Sequence, residues 1–206
     1  MNLTYFRRTR QSLEEAFVEL KKALEQYGWE VLGSKKDLQA KNYFISFYKK
    51  DVFNKILKID KNLTAFLPFS AIVFENNEGV YVGTVNPRLL SSLNSGAEIW
   101  ELSNVLNEEL EKVINQAANV GELKPKRIKL YSTLSCPYCK MEESWLKENQ
   151  VDHEVIHVDL NQEEAQRMVE KTGQMGVPVT EIEFEDAEAQ FIVGFDKNQL
   201  QNILKI

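Results

Sequence analysis

The chain has 206 residues, 43% hydrophobic and 27% charged, with a formal net charge of −6. That composition is ordinary for globular protein and leaves room for two modest cores. The acidic excess falls wholly within residues 125–206, residues 1–124 being balanced, so the C-terminal part lacks the basic face that nucleic acid requires.

The longest apolar-rich run, Ala65–Phe74, contains Pro68 and is about half the ~20 residues of a membrane span. Arg7, Arg8 and Arg10 precede a segment punctuated by charges rather than the apolar stretch of an export signal. A cytoplasmic protein without a membrane partner is expected, with the three arginines on a solvated face.

In chain order, Leu3–Arg8 reads as a strand. Ser12 and Glu15 form a capping box ahead of Leu13, Phe17, Leu20 and Leu24, which recur at helical spacing until Gly28 stops the helix. Strands are expected at Trp29–Leu32 and Asn42–Tyr48, with a short helix between them and the next strand, at Val52–Ile59. Ala65–Glu75 and Gly79–Val85 read as a hairpin around Asn76 and Asn77. After Asn86-Pro87 the chain turns helical. Ile99–Ala117 places Leu102, Leu106, Leu110, Val113 and Ala117 on one face, so the first half is α+β.

Asn119–Lys126 is polar, non-periodic and broken by Gly121 and Pro125. It divides an N-terminal domain, 1–120, from a C-terminal one, 127–206, through a linker at 121–126. Beyond it the pattern becomes strand Ile128–Ser132, helix Pro137–Glu148, strand Glu154–Val158, helix capped by Asn161 and running to Thr172, strands Val179–Phe184 and Gln190–Val193, and a helix capped by Asp196.

The only two cysteines, Cys136 and Cys139, open the helix that follows a strand. Unpaired N–H groups and the helix dipole stabilise an anion there, which favours a Cys136 thiolate. Pro137 suits the first helical position. Cys139, one turn on, is placed to resolve a mixed disulfide, and Lys140 adds positive charge nearby. Two small apolar fillers, or a metal site shared between subunits, are the competing readings of the pair. A metal site within one chain is not expected, because such sites normally take about four ligands. His153 and His157 lie on or beside a strand without cysteine neighbours, Tyr138 stands beside the pair, and Met141 and Trp145 are expected in the core.

Three segments resemble glutaredoxin signatures in order and spacing: Ile128 to Cys139, Thr172 to Val179, and Val193 to Lys197. The resemblance implies an α/β thioredoxin-like fold and a thiol-disulfide oxidoreductase with catalytic Cys136 and Cys139. It further implies a cis Pro178 and a Val177 backbone that pairs with bound thiol substrate. From their places beside the pair and in the last signature segment, Tyr138 and Asp196 are the candidate substrate contacts, an exposed first-turn aromatic being the equal alternative for Tyr138. No tightly bound cofactor is implied. Glutaredoxins that use glutathione commonly carry lysine where Thr133 stands, and a carboxylate where Lys197 stands. The expected electron source is therefore a thioredoxin-reductase-type enzyme ahead of glutathione, and the partners are disulfide-containing proteins or small molecules together with a reductase.

Residues Tyr5–Ala117 resemble domain of unknown function 302, through Tyr27-Gly28-Trp29, Leu67-Pro68-Phe69 and Val85-Asn86-Pro87. This resemblance implies an α+β module for binding or homodimerisation and no activity. The competing function for the whole chain is a redox-sensing binding protein whose cysteine pair sets the ligand affinity of the first domain.

Overall fold

A computed structural model describes residues 3–206, which divide into two compact units meeting in sequence at Glu122 and Leu123. The first unit runs β1 (Thr4–Thr9), α1 (Leu13–Gln26), β2 (Glu30–Asp37), β3 (Asn42–Tyr48), α2 (Lys50–Ile59), a 3-10 segment (Lys61–Phe66), β4 (Phe69–Asn76), β5 (Gly79–Val85), α3 (Leu89–Leu93) and α4 (Ala97–Ala118). Its five strands form an antiparallel sheet in the order β1-β5-β4-β3-β2.

Strand alternation turns Tyr43, Ile45 and Phe47 of β3 toward the same side as Ala71, Val73 and Val82. Helices α1 and α4 bury them with Phe17, Leu20, Leu24, Leu110 and Val113. The Ser12–Glu15 capping box forms in both directions, and Gly28 takes φ +77°, as the sequence predicts. On the opposite sheet face the Phe6 ring lies across Gly83, where a Cβ would stand 1.9 Å from Phe6 Cδ1.

Three expectations for this unit change. Arg7 is not on a solvated face. Two-residue alternation along β1 places Tyr5, Arg7 and Thr9 inward, and Arg7 is only 1% exposed. Its Nη1 donates to Tyr5 Oη at 3.1 Å and to Asn115 Oδ1 on α4, while Tyr5 Oη donates to Asn115 Oδ1 at 2.8 Å. Burial pushes the Tyr5 phenol up to about 12, against the opposing pull of the Arg7 charge.

The strand expected over Ala65–Glu75 starts only at Phe69. The 3-10 segment, entered where Asp60 caps Asn62 N–H, occupies Ala65 and Phe66, and Pro68 has no N–H to give a ladder. Finally, β2 extends to Asp37 rather than ending at Leu32. It is an edge strand exposed along nearly its whole length, so no apolar alternation marks it.

The second unit runs β6 (Pro125–Ser132), α5 (Pro137–Glu148), β7 (Glu154–His157), α6 (Gln162–Thr172), β8 (Val179–Phe184), β9 (Gln190–Val193) and α7 (Lys197–Leu204). Pro125 pairs with Phe184, so the last residues of the expected linker belong to β6. The sheet order is β7-β6-β8-β9, with β6 and β7 parallel and the other pairs antiparallel. Ile128, Leu130, Ile182 and Ile192 pack with Trp145, Leu146 and Leu200 on one face; Tyr131 and Val179 pack with Met168 on the other. This sheet, covered by α5 and α7 on one side and α6 on the other, is a thioredoxin-like fold. The alternation of β6 and β8 also directs Lys129, Glu181 and Glu183 to the α6 side, where Lys129 Nζ meets Glu183 at 2.6 Å and Arg167 meets Glu181 at 3.1 Å.

Candidate active site

The end of β6 and the start of α5 bring the cysteines to an edge of the second unit. Cys136 is the helix N-cap, with extended backbone, and Pro137 follows at the first helical position. The Cys139 N–H, an orphan amide of the first turn, donates to Cys136 Sγ at 3.1 Å. Cys136 and Cys139 are joined as a disulfide, their Cα atoms 5.4 Å apart. Cys136 is half-buried, whereas Cys139 is 1% exposed. The access to sulfur is therefore asymmetric.

The loop before the pair is held from two sides. Cys136 N–H donates to the Thr133 carbonyl at 3.2 Å, and Leu134 N–H donates to Asp159 Oδ2 at 3.1 Å. Asp159 was not visible as a site residue in the sequence. It lies 25 residues away in sequence, and only the fold brings it to Leu134.

Across from α5, the Val177 carbonyl oxygen is 3.9 Å from Cys136 Sγ, and the Val177–Pro178 peptide bond is cis. The Pro178 carbonyl accepts from Gly194 N–H at 2.9 Å, which ties this loop to the turn after β9. An open groove runs alongside, lined by Tyr138, Met141, Val177, Pro178, Phe195 and Asp196, among others. Tyr138 is exposed, as is Lys140 two residues further along the helix.

Met141 departs from its expected core position and is 55% exposed on the groove, while Trp145 one turn later is 9% exposed and packs in the core. The buried face of α5 runs through Cys139, Glu142 and Leu146; Trp145 borders it and Met141 falls outside it. Leu134 and Met175 are exposed as well, so an apolar rim adjoins the cysteines.

Asp196 caps α7, with Oδ1 accepting from Gln199 N–H at 3.0 Å. The neighbouring Lys197 Nζ lies 5.4 Å from the Phe195 ring centroid. His153 stands just before β7 with Nδ1 2.7 Å from the Val151 carbonyl oxygen, and His157 ends that strand.

Behind the cysteines, Glu142 is wholly buried and accepts a hydrogen bond on Oε1 from the Thr180 hydroxyl of β8. Burial pushes its carboxyl up to about 7, in spite of the Thr180 bond that favours the ionised form. Sequence reasoning missed this residue. A glutamate among Lys140, Glu143 and Lys147 reads as part of a charged helix face, and the partner that marks it as internal is 38 positions away.

A helix-capping cysteine joined to a second one a turn later, facing a cis-proline loop in a thioredoxin-like fold, defines a thiol redox protein. The comparisons agree with that class. Residues 128–185 match the family model for glutaredoxin and residues 5–117 the one for DUF302, a domain of unknown function.

An uncharacterized glutaredoxin-like 8.6 kDa protein in a rubredoxin operon of Clostridium pasteurianum is 33% identical over 78 residues, which are 38% of this chain and 97% of that protein. The crystal structure of a DUF302 protein from Bacillus stearothermophilus superposes with TM-score 0.53 at 16% identity, over 57% of this chain and 99% of that one. A glutaredoxin from Archaeoglobus fulgidus aligns over 39% of this chain and 87% of its own at 24% identity, with TM-score 0.34. The chain belongs to the DUF302 family in its first unit and to the glutaredoxin family in its second. None of its described helices is long and apolar enough to cross a membrane.

Proposed function

We propose that the protein is a cytoplasmic dithiol oxidoreductase that reduces disulfides through Cys136 and Cys139, with the DUF302 unit serving as a binding or homodimerisation module. The observation that carries this proposal is the asymmetric pair at the start of α5, a half-buried capping sulfur linked to a buried one.

In the first step the Cys136 thiolate attacks a substrate disulfide. A bond forms between Cys136 Sγ and one substrate sulfur, the substrate S–S bond breaks, and the other sulfur leaves as thiolate and takes a proton from solvent. In the second step Cys139 gives up its proton and attacks Cys136 Sγ. The mixed disulfide breaks, the second substrate thiol is released, and the two electrons lost by the cysteines reside in the two substrate thiols. A reductase returns the pair to the dithiol.

Tyr138, Val177, Pro178 and Asp196 adjoin the groove where the substrate chain would lie, with the Val177 backbone as its pairing edge and Lys140 as a nearby positive charge. The apolar rim formed by Leu134, Tyr138, Met141 and Met175 favours a protein partner over a small charged one. Thr133 supplies no cation for a glutathione carboxylate, and Lys197 puts a cation where its ammonium would sit. Loss of such a contact typically costs about 1 to 3 kcal/mol, or roughly ten- to a hundredfold in affinity. A thioredoxin-reductase-type donor is thus preferred to glutathione.

The test is disulfide reduction by the full chain and two variants. Cys136→Ser abolishes it, whereas Cys139→Ser stops at a mixed disulfide visible by mass. Undiminished turnover in Cys136→Ser rejects the proposal, and faster turnover with glutathione than with thioredoxin reductase rejects the donor assignment.

A further inference from the structure

The thiol exchange leaves one buried titratable group beside the cysteines unused. Glu142 follows Cys139 by three residues on α5, so their side chains stand on adjacent turns of one helix face, with Cβ atoms about 5–6 Å apart by helix geometry. Cys139 is 1% exposed and Glu142 is 0% exposed. Of the two carboxyl oxygens, Oε1 takes the Thr180 hydroxyl, and Oε2 is buried without a hydrogen-bond partner. A buried carboxyl with one unmatched oxygen is costly to the fold, and its position next to the resolving cysteine gives that cost a use.

The surroundings leave few competing groups. On α5 the titratable neighbours on this side are Cys136 and Cys139 themselves, and Glu143 pairs with Lys147 at 2.5 Å. On β8 the facing group is Thr180. On the α6 side of the sheet, Lys129 pairs with Glu183, and Glu181 engages Arg167 and Tyr131. From α7 and the remaining strands, Leu200, Leu130, Ile182 and Ile192 contribute apolar surface to this face.

We propose that Glu142 accepts the Cys139 thiol proton when Cys139 resolves the mixed disulfide. The proposal rests on the dithiol reading above. A cysteine this deeply buried meets little water or hydroxide, and burial in apolar surroundings disfavours the thiolate it must become.

In the resolving step the Cys139 S–H proton passes to Glu142 Oε2 as Cys139 Sγ bonds to Cys136 Sγ. The bond from Cys136 Sγ to the substrate sulfur breaks, its electron pair leaves on the substrate thiolate, and that thiolate is protonated by solvent. When a donor dithiol reduces the pair, the Glu142 carboxylic acid returns the proton to the departing Cys139 sulfur. A carboxyl that is held near neutrality by burial has a pKa suited to both directions at neutral pH.

The test uses the reduced full chain and 4,4′-dithiodipyridine in single turnover. Attack by Cys136 releases the first pyridinethione and resolution by Cys139 releases the second, so the two steps are read separately. Glu142→Gln keeps an acceptor for the Thr180 hydroxyl but no basic oxygen. It is expected to leave the first phase unchanged and to slow the second about a hundredfold at pH 7, with the loss shrinking as alkali ionises Cys139 directly. Glu142→Asp is expected to recover part of the rate. Wild-type speed and pH profile for the second phase in Glu142→Gln would overturn the proposal, while absence of a first phase in the wild-type chain would instead reject the dithiol reading.

As a check independent of mutant folding, carboxyl NMR of the wild-type chain is expected to show a Glu142 titration whose midpoint differs between the dithiol and disulfide states. A midpoint indifferent to redox state would also overturn it.

Discussion

Glu142→Gln is expected to stabilise the second unit, and by more at pH 8 than at pH 5. Burial raises the folded-state carboxyl from its ordinary 4.5 to about 7, so the folded chain holds a proton that the unfolded chain has already released between those values. The sign follows from linkage. The wild-type carboxyl leaves stability intact below pH 4.5, reduces it progressively as pH rises toward 7, and applies its full penalty above that. A displacement of this size corresponds to roughly 3 kcal/mol at pH 8 and under about 1 kcal/mol at pH 5.

Gln does not titrate, so the stability advantage of the variant should grow by about 2 to 3 kcal/mol between the two pH values. With two units in one chain, a single unfolding midpoint is a poor readout. Hydrogen exchange at the buried β6 and β8 amides, measured on the oxidised full chain, reports the second unit by itself. An advantage that does not change with pH would show that Glu142 carries the same charge folded and unfolded, and would refute the burial argument.

In the first unit, Asn115→Ala removes the oxygen that accepts from both Tyr5 and Arg7 and is expected to cost about 1 to 3 kcal/mol, read from exchange at the β1 amides. Wild-type protection there would show that this acceptor is replaceable. Gly83→Ala drives a methyl into the Phe6 ring and is expected to cost about 1 to 3 kcal/mol in the same assay; adding Phe6→Ala should remove most of that extra cost, and strict additivity of the two substitutions would refute the contact.

Local signals were legible in the sequence. Ser12 with Glu15, Asn161 ahead of Glu164, and Asp196 ahead of Gln199 each cap the helix they predict, because capping needs only neighbours three residues away. The local placement of the cysteine pair was legible for the same reason: Cys136, Pro137 and Cys139 lie on one helical turn, with Cys136 at its N-cap.

What escaped depends on partners distant in the chain. Arg7 looks solvated beside Arg8 and Arg10 until β1 pairs with β5 and α4 brings Asn115 over it. Glu142 reads as surface charge until β8 delivers Thr180. Met141 fits the core spacing of Trp145, yet the buried face of α5 is centred on Cys139, Glu142 and Leu146 and leaves Met141 outside it. The 3-10 segment was hidden inside an apolar run whose composition favours a strand, and β2 was hidden because a polar edge strand has no alternation to read.

The central claim, that Cys136 and Cys139 cycle as an attacking and a resolving thiol, is tested most directly by mixing the reduced full chain with a small disulfide and following intact mass together with released thiol. The expected result is a transient adduct on Cys136 that gives way to a Cys136–Cys139 disulfide with release of both substrate thiols. An adduct that first forms on Cys139, or a reduced chain that leaves the disulfide untouched, would contradict it.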